Sequence, residues 1–352
     1  MKKKQWSAVF QITVTYVGTV VGAGFASGQE VWQFFSKNGP FALWGIAFTA
    51  LLFFLFGVYA LHLGPRFQVD SFADLSKHLL GKKGSVIVNS LLLLTIFGLN
   101  IAMIAGGGAL LQQVAGWPLY ISTLVCVWAT IVLLYFGIQG IIVANTFIVP
   151  FMLIWVMFST LYHLHTLSTL QWFHSIAEPT MNIPIWQMLM AFSYLGFNVG
   201  LSLPVLVPLG SLHPEAKVRL FGSLFGSIGL GVLMVLIHLV LVNQQAIHLQ
   251  EIPMAFIAKT LPAFLQGGVL IAIGAEIYST LLANAFGLAS ELATHTKGSF
   301  LTWLMISLLG AYVFAQIGFS RVVGWFYPWF GVFGFFILMM VMMQEKKRKW
   351  NV

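Results

Sequence analysis

The chain has 352 residues, of which 59% are hydrophobic and only 7% are charged, and its formal net charge is +8. A soluble domain of this length cannot hide so much apolar surface, so the composition predicts a polytopic membrane protein and excludes a soluble globular one. The basic residues cluster at the termini and in loops, as membrane topology requires, so the positive charge does not indicate a nucleic-acid partner. The single cysteine, Cys126, excludes an internal disulfide bond.

The hydropathy pattern predicts ten membrane spans. They lie near residues 7–35, 40–62, 85–113, 118–136, 141–163, 184–210, 219–242, 262–290, 299–318 and 322–343. Each is long enough to cross about 30 Å of hydrocarbon. If both ends of the chain are cytoplasmic, fourteen lysine and arginine residues lie inside and three outside, in agreement with the positive-inside rule. The first span has no small-residue cleavage site, so we expect it to be retained in a multi-pass protein of a bacterial-type plasma membrane, surrounded by lipid.

The first span contains a glycine-rich stretch at residues 21–30, Val-Gly-Ala-Gly-Phe-Ala-Ser-Gly-Gln-Glu. Glycine disfavours a helix by about 1 kcal/mol relative to alanine. Unwound backbone at membrane depth is tolerated only where it is buried in protein or lines a wet cavity. We therefore predict a break near Gly24 whose free amide and carbonyl groups hold a ligand. The alternative is that the glycines only allow close helix packing.

The sixth span also contains residues that disfavour a helix, because two glycines, Asn198 and Pro204 fall within residues 191–204. Proline removes a helical hydrogen bond and clashes with the preceding turn, so we predict a second break near residue 199, with a simple kink as the alternative. The two predicted breaks are about half a chain apart, and interrupted helices at matching positions of two halves indicate a transporter's central site. The sequence thus predicts one transmembrane domain, residues 1–352, with repeat one at about 7–163 and an inverted repeat two at about 184–343.

These two stretches, and the segment at 21–30 above all, resemble the YkvI-like bacterial membrane proteins, regarded as amino-acid permeases of the amino acid–polyamine–cation superfamily. The similarity covers nearly the whole chain. It implies the leucine-transporter fold, an all-α integral membrane protein with ten transmembrane helices, a five-plus-five inverted repeat and broken helices 1 and 6. It also implies a secondary transporter of an amino acid or related small amine that works by alternating access.

The break in the first span predicts how a substrate would be held. The outer half of that span begins with free amides at the positive end of its dipole, which favours a carboxylate. Free carbonyl groups near Leu195 and Gly196 of the sixth span would suit an ammonium group, and the rings of Phe192 and Phe197 would close the site unless they only pack. The candidate substrate-binding residues are Gly22, Ala23, Gly24, Phe25, Ala26, Ser27, Phe192, Ser193, Gly196, Phe197 and Asn198.

The eighth span supplies a polar face, because Glu276, Ser279, Thr280 and Asn284 are spaced for one side of a helix. The resemblance implies a Na⁺ site made of hard oxygen ligands, the carbonyl groups of Gly18, Val21 and Glu276 and the hydroxyl groups of Ser279 and Thr280. Glu276 departs from the sodium-coupled relatives, which have a small residue there. It would strengthen the ion site, carry a proton, pair with a cationic substrate, or bond in protonated form to a neighbouring helix.

The coupling ion is Na⁺ or H⁺, with Na⁺ favoured because the fifth span has no lysine, which proton-coupled relatives often place in the ion position. Two acids, Glu276 and Glu30, favour protons instead, since burial favours the neutral carboxyl group. We expect Glu30 to face an outer vestibule or water at the membrane edge. The alternative functions are proton-coupled or exchange transport of a cationic amine or polyamine centred on Glu276, and a non-transporting membrane sensor.

We do not expect an enzyme, because the spans hold no nucleophile–base pair or metal cluster. We expect no other cofactor, no nucleic acid and no obligate protein partner. Two loops have helical patterns of their own. Residues 70–80 begin with Asp70 and Ser71 as possible caps, and their pattern predicts a short helix on the cytoplasmic face, with a plain amphipathic connector as the alternative. Residues 253–258 predict a lid helix over an external vestibule.

Overall fold

The computed structural model of the chain describes residues 3–135, 139–166, 185–244 and 246–349. This described part consists of α-helices, two short 3₁₀ helices at Ser36–Phe41 and Ile247–Leu249, and connecting turns, without a strand. The α-helices are α1 Lys3–Val20, α2 Ala23–Ala26, α3 Gln29–Phe34, α4 Ala42–Phe67, α5 Phe72–Ala115, α6 Leu119–Tyr135, α7 Gln139–Thr166, α8 Ile185–Leu212, α9 Ala216–Val242, α10 Pro253–Ala258, α11 Ala263–His295, α12 Phe300–Ala315 and α13 Phe319–Lys349.

The helices agree with a protein that crosses the membrane several times. Six of them, α4, α5, α8, α9, α11 and α13, are long and apolar enough to span a bilayer, and α6 and α12 are apolar but shorter. Large apolar side chains such as Phe10, Trp128 and Phe264 are more than 60% exposed on this bundle, as expected where lipid covers it. Every predicted span coincides with a helix of the described chain, with α1, α2 and α3 sharing the first.

The predicted interruption of the first span is present, as two short breaks on either side of Gly24. Helix α1 ends at Val20, and Gly22 is extended (φ −122°, ψ −169°) before α2 begins. A second break follows at Ser27 and Gly28, where Gly28 has a φ of 78°. Only glycine adopts this left-handed conformation without strain, so Gly28 permits the turn into α3.

The prediction of a broken sixth span is wrong. Helix α8 runs without interruption through Asn198 and Gly200 and carries Pro204 and Pro208 inside it. The Asn198 side chain donates from Nδ2 to the carbonyl O of Tyr194 (2.9 Å), one turn earlier on the same helix. A proline deletes one hydrogen bond, and the remaining ladder continues past it.

Gly196 of α8 allows close packing against α13. A Cβ atom on Gly196 would overlap the carbonyl O of Gly331, and one on Gly334 would overlap the carbonyl O of Gly196. Nearby, the Ser193 hydroxyl donates to the carbonyl O of Pro328 (3.1 Å). Small residues that let two backbones touch are typical of membrane helix pairs. Gly196 therefore serves close packing, an interpretation that sequence reasoning offered for the first span but not for the sixth.

Tyr16 fixes the end of α1 against its neighbours. Its ring is fully buried, and its hydroxyl donates to the carbonyl O of Phe53 on α4 (2.7 Å). A Cβ on Gly57 of α4 or Gly226 of α9 would strike this ring, so both helices are shaped around it. The segment that leads into the break is thus held between α4 and α9.

Both predicted loop helices are present. Ser71 caps α5 by accepting from the amide N of Asp74 (3.0 Å), and the left-handed Gly81 (φ 68°) divides this first part of α5 from the long span that follows. Helix α10 begins at Pro253, and the amide N of Met254 donates to the carbonyl O of Ser27 (2.9 Å). The predicted lid therefore contacts the turn between α2 and α3.

Replacing Gly196 with alanine is expected to lower the melting temperature of the purified protein in detergent. The new methyl group forces the α8 and α13 backbones apart, at a cost of about 1–3 kcal/mol for an overpacked site. Gly200→Ala is the matched control, because a Cβ there meets only Leu92 Cδ2 at 3.5 Å, an ordinary contact. Equal melting temperatures for the two variants would contradict the assigned packing.

Candidate functional site: a cavity at the break in the first helix

A cavity of about 260 Å³ lies where the first helix is interrupted. Its wall combines the end of α1, the start of α2 and side chains of α3, α5, α8, α11 and α13. The lining residues are Gly18, Thr19, Val20, Val21, Gly22, Ala23, Gly24, Glu30, Leu99, Met103, Phe197, Leu201, Glu276, Ser279, Thr280, Ala283, Asn284 and Tyr327. The predicted ion-site and coupling residues all lie here, together with the first residues of the predicted substrate site.

The backbone at the break offers groups of opposite polarity. The last helical bond of this region runs from the amide N of Val21 to the carbonyl O of Val17 (2.8 Å). In α2 the amide N of Ala26 donates to the carbonyl O of Gly22 (2.9 Å). The amides of Ala23 and Gly24 therefore come before the first hydrogen bond of this helix. Final carbonyl groups of a helix carry partial negative charge and first amides carry partial positive charge. The break therefore presents acceptors and donors side by side.

Glu30 folds back toward the break from the first turn of α3. It is only 4% exposed, and its Oε2 accepts from the Tyr194 hydroxyl of α8 (3.0 Å). A Cβ on Gly24 would overlap the Glu30 carboxyl group, so glycine at position 24 is what lets this acid lie there. The expectation that Glu30 faces an outer vestibule or the membrane edge is wrong, because the side chain lines the central cavity.

The polar face of α11 lies on the opposite wall. Glu276, Ser279, Thr280 and Asn284 all line the cavity, as their helical spacing predicts. The Ser279 hydroxyl donates to the carbonyl O of Glu276 (3.2 Å). Glu276 Oε2 and Asn284 Nδ2 are buried and have no hydrogen-bond partner in the described part of the chain. Buried polar atoms are normally paired, so the carboxyl group of Glu276 is a candidate functional group of this wall.

An aromatic pair forms a third part of the wall. Phe197 of α8 and Tyr327 of α13 stack with ring centroids 4.4 Å apart and an interplanar angle of 27°. The apolar side chains of Leu99, Met103 and Leu201 lie on the same cavity. Sequence reasoning missed Tyr327, Leu99 and Met103, because nothing in the local pattern of an apolar helix shows which of its side chains meets a distant break.

Other predicted substrate residues do not line the cavity. Ser27 is buried, and its hydroxyl donates to the carbonyl O of Gly24 (2.8 Å), while Phe25 and Ala26 are buried beside it. Ser193 and Gly196 lie in the contact with α13 that holds α8, and Asn198 is bonded within α8.

Phe192 lies away from the cavity. It is 37% exposed and packs edge-on against Phe48 and Phe335. Its interpretation as a ring that closes the site is wrong.

The cavity is acidic. Two carboxyl groups, those of Glu30 and Glu276, reach it, and none of the described residues that line it is a lysine, arginine or histidine. The ion pair of Arg66 with Glu345 lies at the ends of α4 and α13 and not at the break. Charges in a site of low dielectric interact strongly, so an ionised carboxyl group on this wall would favour a positively charged neighbour.

Two loops close over the turn that follows α2. Besides the bond from Met254 to Ser27, Glu251 Oε2 accepts from the amide N of Ser320 (2.6 Å). Gln33 Nε2 of α3 donates to Ser320 Oγ (3.2 Å). The α9–α11 connection, the start of α13 and α3 therefore meet at one end of the broken helix.

Replacing Gly28 with alanine is expected to weaken this closure. Alanine in a left-handed conformation costs about 1–2 kcal/mol, and its Cβ would lie 2.9 Å from Met254 Cγ. The melting temperature should fall, and limited proteolysis should cut the connection between α9 and α11 faster. Gly22→Ala is the control, since Gly22 has an ordinary extended φ and no atom within 4 Å of an added Cβ. Identical proteolysis of both variants would contradict the proposed contact.

Comparison with known proteins agrees with this architecture. The chain is 28% identical to the membrane protein YkvI of Bacillus subtilis (strain 168) over 91% of each chain. The structure matches the inward-facing conformation of Mhp1 with a TM-score of 0.67 at 13% identity, covering 93% of this chain and 73% of that one. It matches MhsT in complex with L-phenylalanine with a TM-score of 0.62 at 15% identity, covering 89% and 79%.

These likenesses confirm the resemblance to YkvI-like proteins and the leucine-transporter fold. The model of the tryptophan/tyrosine permease family matches residues 1–202, a stretch that includes the whole broken helix and runs into α8. Since that match covers more than half of the sequence, the chain belongs to the tryptophan/tyrosine permease family.

Proposed function

We propose that this multi-pass membrane transporter moves an amino acid, with an aromatic one preferred, together with a cation. The observation that carries the proposal is the single cavity in which a broken helix, two carboxyl groups and an aromatic wall meet. The family's name refers to tryptophan and tyrosine, and MhsT is titled as a complex with L-phenylalanine. The stacked pair of Phe197 and Tyr327 would hold a third ring by offset or edge contacts.

The substrate carboxylate belongs at the start of α2 in this proposal. Ala23 and Gly24 line the cavity, and their amides precede the first hydrogen bond of that helix. Backbone amides at a helix start favour an anionic group. The volume of about 260 Å³ is just below the usual range for sites that hold drug-sized ligands, which suits one amino acid.

The co-transported ion belongs between α1 and α11. Gly18 and Val21 line the same cavity as Glu276, Ser279 and Thr280, and their carbonyl groups would be ligands there. Oxygen atoms of this kind are ligands for a hard cation, and Na⁺ would also provide the partner that Glu276 Oε2 lacks. An ion with ligands on both helices binds best in the conformation that brings them together, which links ion binding to the state of the transporter.

The orientation in the membrane is part of the proposal. Gln5 Nε2 near the start of α1 donates to Glu215 Oε2 in the α8–α9 loop (2.6 Å), and Arg66 pairs with Glu345 near the C-terminal end. These contacts support an arrangement in which the start of α1, the α8–α9 loop and the ends of α4 and α13 lie on one side of the bundle. The positive-inside rule would make that side the cytoplasm. Ten spans in two inverted halves are consistent with this arrangement.

A second candidate function follows from the acidity of the cavity. Two carboxyl groups without a basic side chain among the described lining residues would also suit a cationic amine or polyamine held by Glu276, with a proton or a second amine as the exchanged ion. In that case the amides at α2 would play no part in recognition.

A thermal-shift screen of the purified protein separates the two candidates. We expect tryptophan, tyrosine or phenylalanine to raise the melting temperature, and more so in Na⁺ than in K⁺. A ligand at 100 times its Kd stabilises a protein by about 2.7 kcal/mol, which is readily measured. Stabilisation by spermidine without any effect of amino acids would replace the first proposal with the second.

The double replacement of Ser279 and Thr280 by alanine is expected to raise the Na⁺ concentration for half-maximal uptake by about tenfold, the effect of losing roughly 1.4 kcal/mol of ion binding. Uptake by protein in liposomes is the measurement. Thr294→Ala is the control, because Thr294 is exposed on the same helix and bonds only to the carbonyl O of Ser290. Unchanged Na⁺ dependence in the double variant would exclude this ion site, and uptake that ignores Na⁺ in every variant would favour protons.

A further inference from the structure

We propose that Glu30 binds the ammonium group of the substrate and so selects free α-amino acids over analogues that lack the amine. This inference rests on the proposed function and assigns a recognition role to a side chain that sequence reasoning treated only as a coupling group. It follows from three observations: the continuity of α8, the position of the Glu30 carboxyl group and the charges around it.

The continuous α8 removes the ammonium partner that a broken sixth helix would provide. The free carbonyl groups expected near Leu195 and Gly196 belong to a helix end, and α8 has no end there. The carbonyl of Gly196 faces Gly334 across the contact with α13, and that of Tyr194 accepts from Asn198 Nδ2. A substrate ammonium group in this cavity therefore needs an acceptor outside the α8 backbone.

Glu30 lies where that acceptor is required. Gly24 contributes an amide to the proposed carboxylate site, and the Glu30 carboxyl group occupies the space beside its Cα. The carboxylate and ammonium groups of an α-amino acid are attached to the same carbon, so their two partners must be neighbours. The arrangement of Gly24 and Glu30 meets this requirement.

Glu30 has no basic side chain beside it among the described residues that line the cavity. Its Oε2 accepts one hydrogen bond from Tyr194, and the described residues lining the cavity include no lysine, arginine or histidine to pair with it. A buried carboxylate without a cation is unfavourable, whereas an ammonium group that brings charge and hydrogen-bond donors makes the pair favourable.

The second acid of the cavity has a different set of neighbours. Glu276 shares the α11 face with Ser279 and Thr280, opposite the carbonyl groups at the end of α1, which is the proposed ion site. Glu276 thus binds the coupling ion, and Glu30 binds the ammonium group of the substrate.

The test compares matched ligands in wild type and Glu30→Gln. L-tyrosine is paired with 3-(4-hydroxyphenyl)propionate, and L-tryptophan with 3-indolepropionate, and binding is measured by titration calorimetry in Na⁺. We expect Glu30→Gln to lower the affinity for the amino acid by about 10- to 100-fold, the range for a hydrogen bond to a charged group, and to leave the affinity for the analogue unchanged. The glutamine amide keeps an oxygen for Tyr194, and an unchanged melting temperature verifies the fold.

Three further variants separate this role from a general loss of acidity. Gly24→Ala places a methyl group where the Glu30 carboxyl group lies and should reproduce the loss of discrimination. Gly200→Ala, whose new Cβ meets only Leu92 Cδ2 at 3.5 Å, should not. Glu276→Gln should alter the Na⁺ dependence and keep the preference for the amine.

Equal losses for amino acid and analogue in Glu30→Gln, or no loss for either, would overturn the role of Glu30 and leave the proposed function in place. A wild-type protein that binds neither aromatic amino acid would instead remove the proposed function, and this assignment with it.

Discussion

The structure depends on what happens to backbone groups that leave a helix inside a membrane. At Val21 and Gly22 the chain gives up helical hydrogen bonds where water is scarce, which is tolerated only if protein or a cavity receives the freed groups. The cavity lies at this segment, and the Glu30 side chain points into that cavity. The backbone of Met254 is bonded to Ser27 just beyond it. The apolar bundle, with Tyr16 wedged between α4 and α9, holds the interruption in place.

The two halves of the protein use glycine differently. In the first helix, Gly24 leaves space for a carboxyl group and Gly28 permits a left-handed turn. In α8, Gly196 allows direct backbone contact with α13, and the helix stays intact. The cavity at the broken helix is lined by Glu30 and Glu276, and its described lining includes no lysine, arginine or histidine.

The sequence predicts best what local chemistry determines. The apolar runs locate the helices, the glycines of residues 21–30 locate the break, and the three- and four-residue spacing from Glu276 places Ser279 and Thr280 on one wall. It fails where one signal has two physical meanings, because glycine, asparagine and proline in a membrane helix suit a break as well as close packing. It also fails for contacts between distant segments, such as the fold of Glu30 toward Gly24 and the stacking of Tyr327 on Phe197.

The most direct test of the central claim is whether substrate occupies the cavity at the break. In protein whose Cys126 is replaced by serine, Gly22→Cys places a thiol on the cavity wall, and Leu249→Cys places one on a side chain position that is 73% exposed. Reaction with a small water-soluble thiol reagent is then followed with and without saturating amino acid. The account predicts that substrate slows modification at position 22 severalfold and leaves position 249 unchanged. Equal rates at position 22, in a sample that thermal shift shows to be saturated, would contradict it.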